Sequence, residues 1–254
     1  MAAGLELIEA SLEFGRRRGL THHEMWARGS SRLWYLYELG RWDELLQEAD
    51  ELLRWDREQG GTQIEVNALM ISAPVLAQRG RMDEAVANAA VFLPRAREVA
   101  DPQTLVPALV EAAFVSAVAG ELGEAASLVA EYGRIAGETR YSYGLLPTAL
   151  RVCVAGGELP LAESLVEIVD VLDSPVSRHS TKTGRAILAE ARGRTEEAAA
   201  LYAEAAAGWG EWGSVIERAY ALLGLGRCGD GDAAGEAEAI FARLGAVPFT
   251  ALAA

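Results

Sequence analysis

Gly80-Arg81-Met82-Asp83-Glu84-Ala85 lies between two apolar periodicities. Before it, Leu69, Ser72, Ala73 and Leu76 recur at helical spacing; after it, Met82, Ala85, Val86, Ala89 and Phe92 do the same. Such spacing puts each set on one face of an amphipathic helix. Gly80 follows the first helix, where a left-handed backbone has no steric cost for glycine. Asp83 and Glu84 fall in the first turn of the second helix and complement its dipole. The stretch reads as helix, glycine turn, helix.

The phrase returns along the chain. Gly40-Arg41-Trp42-Asp43-Glu44-Leu45, Gly120-Glu121-Leu122-Gly123-Glu124-Ala125, Gly157-Glu158-Leu159-Pro160-Leu161-Ala162 and Gly193-Arg194-Thr195-Glu196-Glu197-Ala198 are further copies, and Gly229 continues the series. Successive glycines are 40, 40, 37, 36 and 36 residues apart. Self-similarity at that period marks a stacked helical repeat. Ala85, Ala125, Ala162 and Ala198 share the slot five after the glycine, where a methyl lets two helices approach closely. Leu45 departs from this, so the first unit is expected to open wider or repack around aromatics.

These positions resemble the tetratricopeptide repeat. Leu33, Ala73, Ala113, Leu150 and Ala186 stand seven before each glycine, and Ala49, Ala89, Val129, Val166 and Tyr202 nine after. The period exceeds the family's usual length of about 34 residues, and no regular proline closes each unit. The units, the Gly19–Trp26 stretch and the Ala239–Phe249 ending are similar to the C-terminal helical regions of bacterial nucleotide-cyclase and STAND-type regulatory ATPases. The resemblance implies an all-α fold: a right-handed superhelical array of antiparallel helix pairs, an α-solenoid. The expected divisions of this single domain are a half repeat at 1–19, repeats at about 21–59, 62–100, 103–138, 141–173 and 178–208, and a degenerate repeat at 212–245. The opening helix, carried by Leu5, Ile8, Leu12 and Phe14, has no partner before it. Its apolar face is a candidate dimer contact.

Composition narrows the function classes. The chain has 254 residues, 51% of them hydrophobic, and a net charge of −14. An acidic chain lacks the clustered positive surface that nucleic acid or anionic membrane requires. The basic run Arg16-Arg17-Arg18 fits a solvated helix end. Lys182 is the one lysine, which with the alanine and glycine usage suggests a GC-rich bacterial source. Cys153 and Cys228 are too sparse for a disulfide framework, and Cys153 falls on an apolar face. No signal peptide or membrane span is expected, and the location is expected to be cytoplasmic.

The motifs that could carry chemistry have structural readings. Gly224-Leu225-Gly226-Arg227-Cys228-Gly229 matches the dinucleotide fingerprint but follows a helix rather than a strand, so it reads as a flexible turn between helices. Asp230-Gly231-Asp232 lacks the later acid of a calcium loop, and Asp232 reads as a helix cap. His22-His23-Glu24 has no second histidine at metal-ligand spacing; Thr21 is expected to cap the helix. His179 falls in a polar loop and helix start, with no orienting acid. No catalytic residue, metal or cofactor is expected.

The groove residues follow from the repeat phase that the tetratricopeptide resemblance implies. Trp34, Pro74, Phe114, Arg151 and Ile187 stand six before each glycine; Tyr37, Ala77, Ala117, Val154 and Glu190 three before; Ser30, Met70, Val110, Pro147 and Thr183 ten before. The leading expectation is a non-catalytic regulatory module. It binds a protein or peptide partner, or its parent's other domains, through a groove lined by Trp34, Tyr37, Asn67, Met70, Gln78, Phe114, Arg151 and Glu190. The alternative is a small-molecule effector site on a signal-transduction ATPase or cyclase, using the tryptophans and tyrosines with Asn67, Gln78 and Arg151.

Overall fold

The computed structural model describes residues 1–59, 63–139, 143–171 and 174–250. It is all-helical, with no strand among the described residues. After α1 (Ala2–Arg17), the chain runs as pairs: α2 (Thr21–Ala27) and α3 (Leu33–Glu38) with α4 (Trp42–Glu58); α5 (Gln63–Gln78) with α6 (Met82–Val99); α7 (Pro102–Val118) with α8 (Leu122–Ile135). Then come α9 (Leu146–Ala155) with α10 (Leu159–Asp170), α11 (Pro175–Ala191) with α12 (Thr195–Trp212), and α13 (Val215–Arg227) with α14 (Gly231–Leu244). A π-helical turn, Arg28–Arg32, joins α2 to α3. None of the described helices is long and apolar enough to cross a membrane.

One backbone device builds every pair. Gly40, Gly80, Gly120, Gly157, Gly193 and Gly229 all have positive φ, from 69° to 109°. Each glycine N–H reaches back three residues, as Gly80 does to the Ala77 carbonyl at 3.1 Å, and the next N–H reaches back five, as Arg81 does to Leu76 at 2.9 Å. Together these bonds form the Schellman closure, which satisfies the last carbonyls of the first helix and reverses the chain. The packing slots follow. Leu45, Ala85, Ala125, Ala162 and Ala198 are fully buried, as are Leu33, Ala73, Ala113, Leu150 and Ala186. Val86, placed on the apolar face by periodicity, is instead 45% exposed.

Each first helix packs on its own second helix, and successive first helices pack on one another as far as α11: α3 on α5, α5 on α7, α7 on α9 and α9 on α11. The last pair also meets the first. α13 touches α3. Tyr220 donates to the Gln78 side chain at 2.8 Å, Arg79 donates to the Leu244 carbonyl at 3.0 Å, and the Met1 amine donates to the Trp212 carbonyl at 2.8 Å. α1 lies on α2 and α3 with Leu5 and Leu12 buried, while Leu7 and Phe14 stay outside.

Several local readings need correction. Gly224 and Gly226 do not form a flexible turn; both lie inside α13. They are bare because neighbours press on them. A Cβ at Gly224 would overlap the Tyr202 ring, and one at Gly226 would sit 2.8 Å from the Ala234 methyl. Thr21 does not cap α2, whose N-cap is Leu20 without a side-chain bond. Asp230 rather than Asp232 caps α14, accepting from the Ala233 N–H at 2.9 Å. His179 is not in a loop. It lies within α11, after a Ser174/Ser177 capping box, with its ring against Trp209 and Trp212. Cys153 is buried, and desolvation pushes its thiol up to about 12.

The α13 glycines give a contrast test. Tyr202 is held by its 2.6 Å bond to Glu190 and cannot step aside, so Gly224→Ala should lose about 2–3 kcal/mol by overpacking. Gly235, inside α14, has open space around its Cβ position. There the same change should gain up to about 1 kcal/mol from helix propensity alone. Urea unfolding of both variants checks the pair; equal effects would mean that the α12–α13 approach is not tight.

Candidate functional site: a cavity beneath the first helix pair

The residues of the first helices that were expected to line a groove divide into two places. At one end they surround an open cavity. At the other they meet the chain's own segment 246–250.

The cavity has a volume of 430 Å³. α2, the π turn and α3 supply Trp26, Ser30, Ser31, Trp34, Tyr35 and Tyr37. α5 supplies Gln63, Asn67, Met70, Ile71 and Pro74, and α7 supplies Gln103, Thr104, Pro107 and Glu111. Trp34, Tyr37 and the buried Trp42 form a stack with successive centroids 6.0 Å apart, and the Trp42 indole N–H is fixed on the Tyr37 carbonyl at 3.1 Å. The wall is thus braced from behind. Pro74 and Pro107 sit inside helices, where each lacks the N–H of a normal helical bond.

Glu111 is the one charged residue of α7 and is only 7% exposed. It has no hydrogen-bond or ion-pair partner among the described residues. Burial, then the nearby Glu217 and Glu38 carboxylates, pushes its carboxyl up to about 8. Behind the cavity floor, Arg151 holds Glu217 with two bonds of 2.5 and 3.0 Å and lies 4.1 Å over the Tyr220 ring. Glu38 is buried beside them; desolvation pushes it up to about 7 against the opposing bond from Ser214. Burial first, then Glu111, Glu217 and Glu38, also raises the Tyr37 phenol.

At the other end the segment after Gly245 crosses the first helices. Val247 N–H donates to the Gln78 carbonyl at 2.7 Å, and Phe249 N–H to the Tyr220 hydroxyl at 3.1 Å. The Phe249 ring meets Phe114 edge-on at 5.6 Å and borders a small space with Arg151, Val154, Thr183, Ile187 and Glu190. Phe249→Ala should lose about 1–2 kcal/mol of stability, from the aromatic pair and lost burial. Thermal unfolding checks this, and an unchanged midpoint would mean that the segment is not docked.

The structure therefore separates the eight residues expected to line one groove. Trp34, Tyr37, Asn67 and Met70 line the cavity. The other four are engaged by the chain itself: Gln78 by Tyr220 and Val247, Phe114 by Phe249, Arg151 by Glu217 and Thr148, Glu190 by Tyr202 and Arg227. Glu111, Glu38 and Tyr220 were missed. A lone acid inside the apolar run Leu109-Val110-Glu111-Ala112-Ala113 was the available signal.

No family model matches the chain, and no curated protein matches it. Among solved structures, the crystal structure of BtubC (BKLC) from P. vanneervenii is similar. The two share 17% identity with a TM-score of 0.48, over 85% of this chain and 95% of that one.

Proposed function

We propose that the chain is a non-catalytic sensing module that holds a small molecule in the cavity between α3, α5 and α7. Supporting this is a space of 430 Å³ with a braced aromatic wall and a buried acid that no described residue satisfies. Small-molecule sites are concave and mostly apolar, with a few convergent polar groups. Asn67, Gln63 and Thr104 are such groups here. We read the scaffold as a tetratricopeptide-like array, on the strength of the six Schellman-closed glycines and the small residues in fixed slots.

A metabolite library screened by thermal shift tests this reading, with Trp34→Ala and Asn67→Ala as controls. At least one compound should raise the wild-type midpoint saturably, and each variant should weaken it about tenfold or more, the loss of roughly 1.4 kcal/mol. A library that shifts nothing, or hits insensitive to both variants, would sink it.

The peptide-binding reading keeps one specific support. Residues 246–250 lie on the first helices through main-chain bonds and one aromatic anchor, as a partner segment would. Such a partner would compete with this segment.

A further inference from the structure

We propose that the cavity takes an organic monocation, an ammonium carried on a flat apolar body, with Glu111 as its counter-ion. This rests on the small-molecule reading above and adds the charge and shape of the ligand.

The charge follows from the lining. Two acids, Asp101 and Glu111, border the cavity, and no Arg, Lys or His is among its described lining residues. Asp101 is already used: its carboxylate caps α7 by accepting from the Gln103 N–H at 2.9 Å. Glu111 is not. The nearest cation, Arg151, has both of its outer nitrogens committed to Glu217 and Thr148. An anionic ligand would meet two acids at the wall, with Glu38 and Glu217 behind them. A cation meets the complement.

An isolated buried carboxylate is costly, and without a counter-ion protonation is what relieves Glu111. An ammonium relieves it while leaving it charged, and adds the attraction of a paired, desolvated hydrogen bond. The shape follows from the wall. Trp34 ends the stack, 29° from parallel with Tyr37, so one of its faces is not taken by Tyr37, and an aromatic face attracts a cation and packs flat apolar groups. Ser30, Ser31 and Asn67 line the same cavity and carry oxygens able to accept from an ammonium.

Binding then displaces the Glu111 proton to solvent, so the apparent affinity should rise with pH and level off once Glu111 is ionised in the free protein. The groups facing Glu111 are Tyr37 and Glu38 from α3, Arg151 from α9 and Glu217 from α13, with Tyr220 of α13 against Arg151.

Calorimetry on the full chain with phenethylamine, 2-phenylethanol and 3-phenylpropionate tests the proposal. The amine should bind at least about tenfold tighter than the alcohol, and the carboxylate weakest. Glu111→Gln should reduce amine affinity by at least about tenfold and leave the alcohol unchanged. Amine titrations near neutral pH, in buffers of different ionisation enthalpy, should reveal proton release that the variant lacks. Glu111→Gln keeps the side-chain shape, and a single cooperative thermal transition with the wild-type helix content shows that it is folded. Equal amine and alcohol affinity, an unchanged amine affinity in the variant, or no saturable amine binding would each overturn the proposal. If the alcohol or carboxylate binds instead, the charge assignment fails while the small-molecule reading stands. That reading falls separately, through the library screen and the Trp34 and Asn67 variants.

Discussion

Arg151→Met is expected to lower the free energy of unfolding by about 3–5 kcal/mol, the largest effect of any single change considered for this protein. Arg151 and Glu217 are each 7% exposed in their side chains and joined at 2.5 Å. Removing the guanidinium leaves Glu217 buried near Glu38 and Glu111, with the Met1 ammonium acting on Glu38 as the cation that remains. The cost is that of an orphaned charge rather than of a lost contact. The double variant Arg151→Met/Glu217→Met should therefore recover most of it, because an apolar pair of similar volume avoids both desolvation penalties. Guanidinium unfolding near pH 7 of the wild type, both single variants and the double variant gives the coupling. A single variant within about 1 kcal/mol of wild type would mean that water reaches this cluster.

The second large effect is on pH. Glu38 and Glu111 have folded pKa values of about 7 and about 8, above their ordinary value of 4.5, chiefly because both are desolvated. The folded chain then binds more protons than the unfolded chain wherever the pH lies between the two values. The stability contributed by each acid is fully present below the unfolded value and is lost as pH rises through the folded one. At about 1.4 kcal/mol per pKa unit, the pair gives a loss on the order of 5 kcal/mol. For a chain of this length that is a fall of about 10–15 °C in Tm between about pH 5 and pH 8. Many proteins are near their most stable over that window. Glu38→Gln and Glu111→Gln should each flatten the slope and raise the midpoint at the alkaline end. A flat wild-type profile would mean that both carboxyls are solvated or paired in solution.

The helix pairs were legible because their cause is local. A helix-closing glycine and the turn that follows it are set by contacts within one turn of helix, and the sequence records them six times, five of them with an alanine five residues later. The meeting of the last pair with the first was not legible. Tyr220 with Gln78, and Arg79 with Leu244, are 142 and 165 residues apart, and periodicity carries no information at that range. The split of the groove residues has the same origin. Repeat phase placed Trp34 and Phe114 on equivalent inner faces, but only the path of residues 246–250 leaves one beside open space and covers the other. Gly224 and Gly226 were misread because a glycine that admits a neighbour's ring looks the same in sequence as one that turns the chain. The difference lies in Tyr202 and Ala234, residues of other helices.

The contact between the final and opening pairs also bears on how the molecule comes apart. In an open row of repeats the outermost unit has one neighbour, so it frays first and its loss costs one interface. Here α13 and α14 have neighbours on two sides, α12 and the α3–α5 region. Peeling either one from the row breaks two interfaces at once. Hydrogen exchange should then find the Gly231–Leu244 helix protected as strongly as the central ones, rather than opening from the edge. The number of units becomes fixed as well. A whole repeat inserted into an open row lengthens it at little cost, but inserted here it would drive Tyr220 away from Gln78, and the molecule would have to give up that contact to grow.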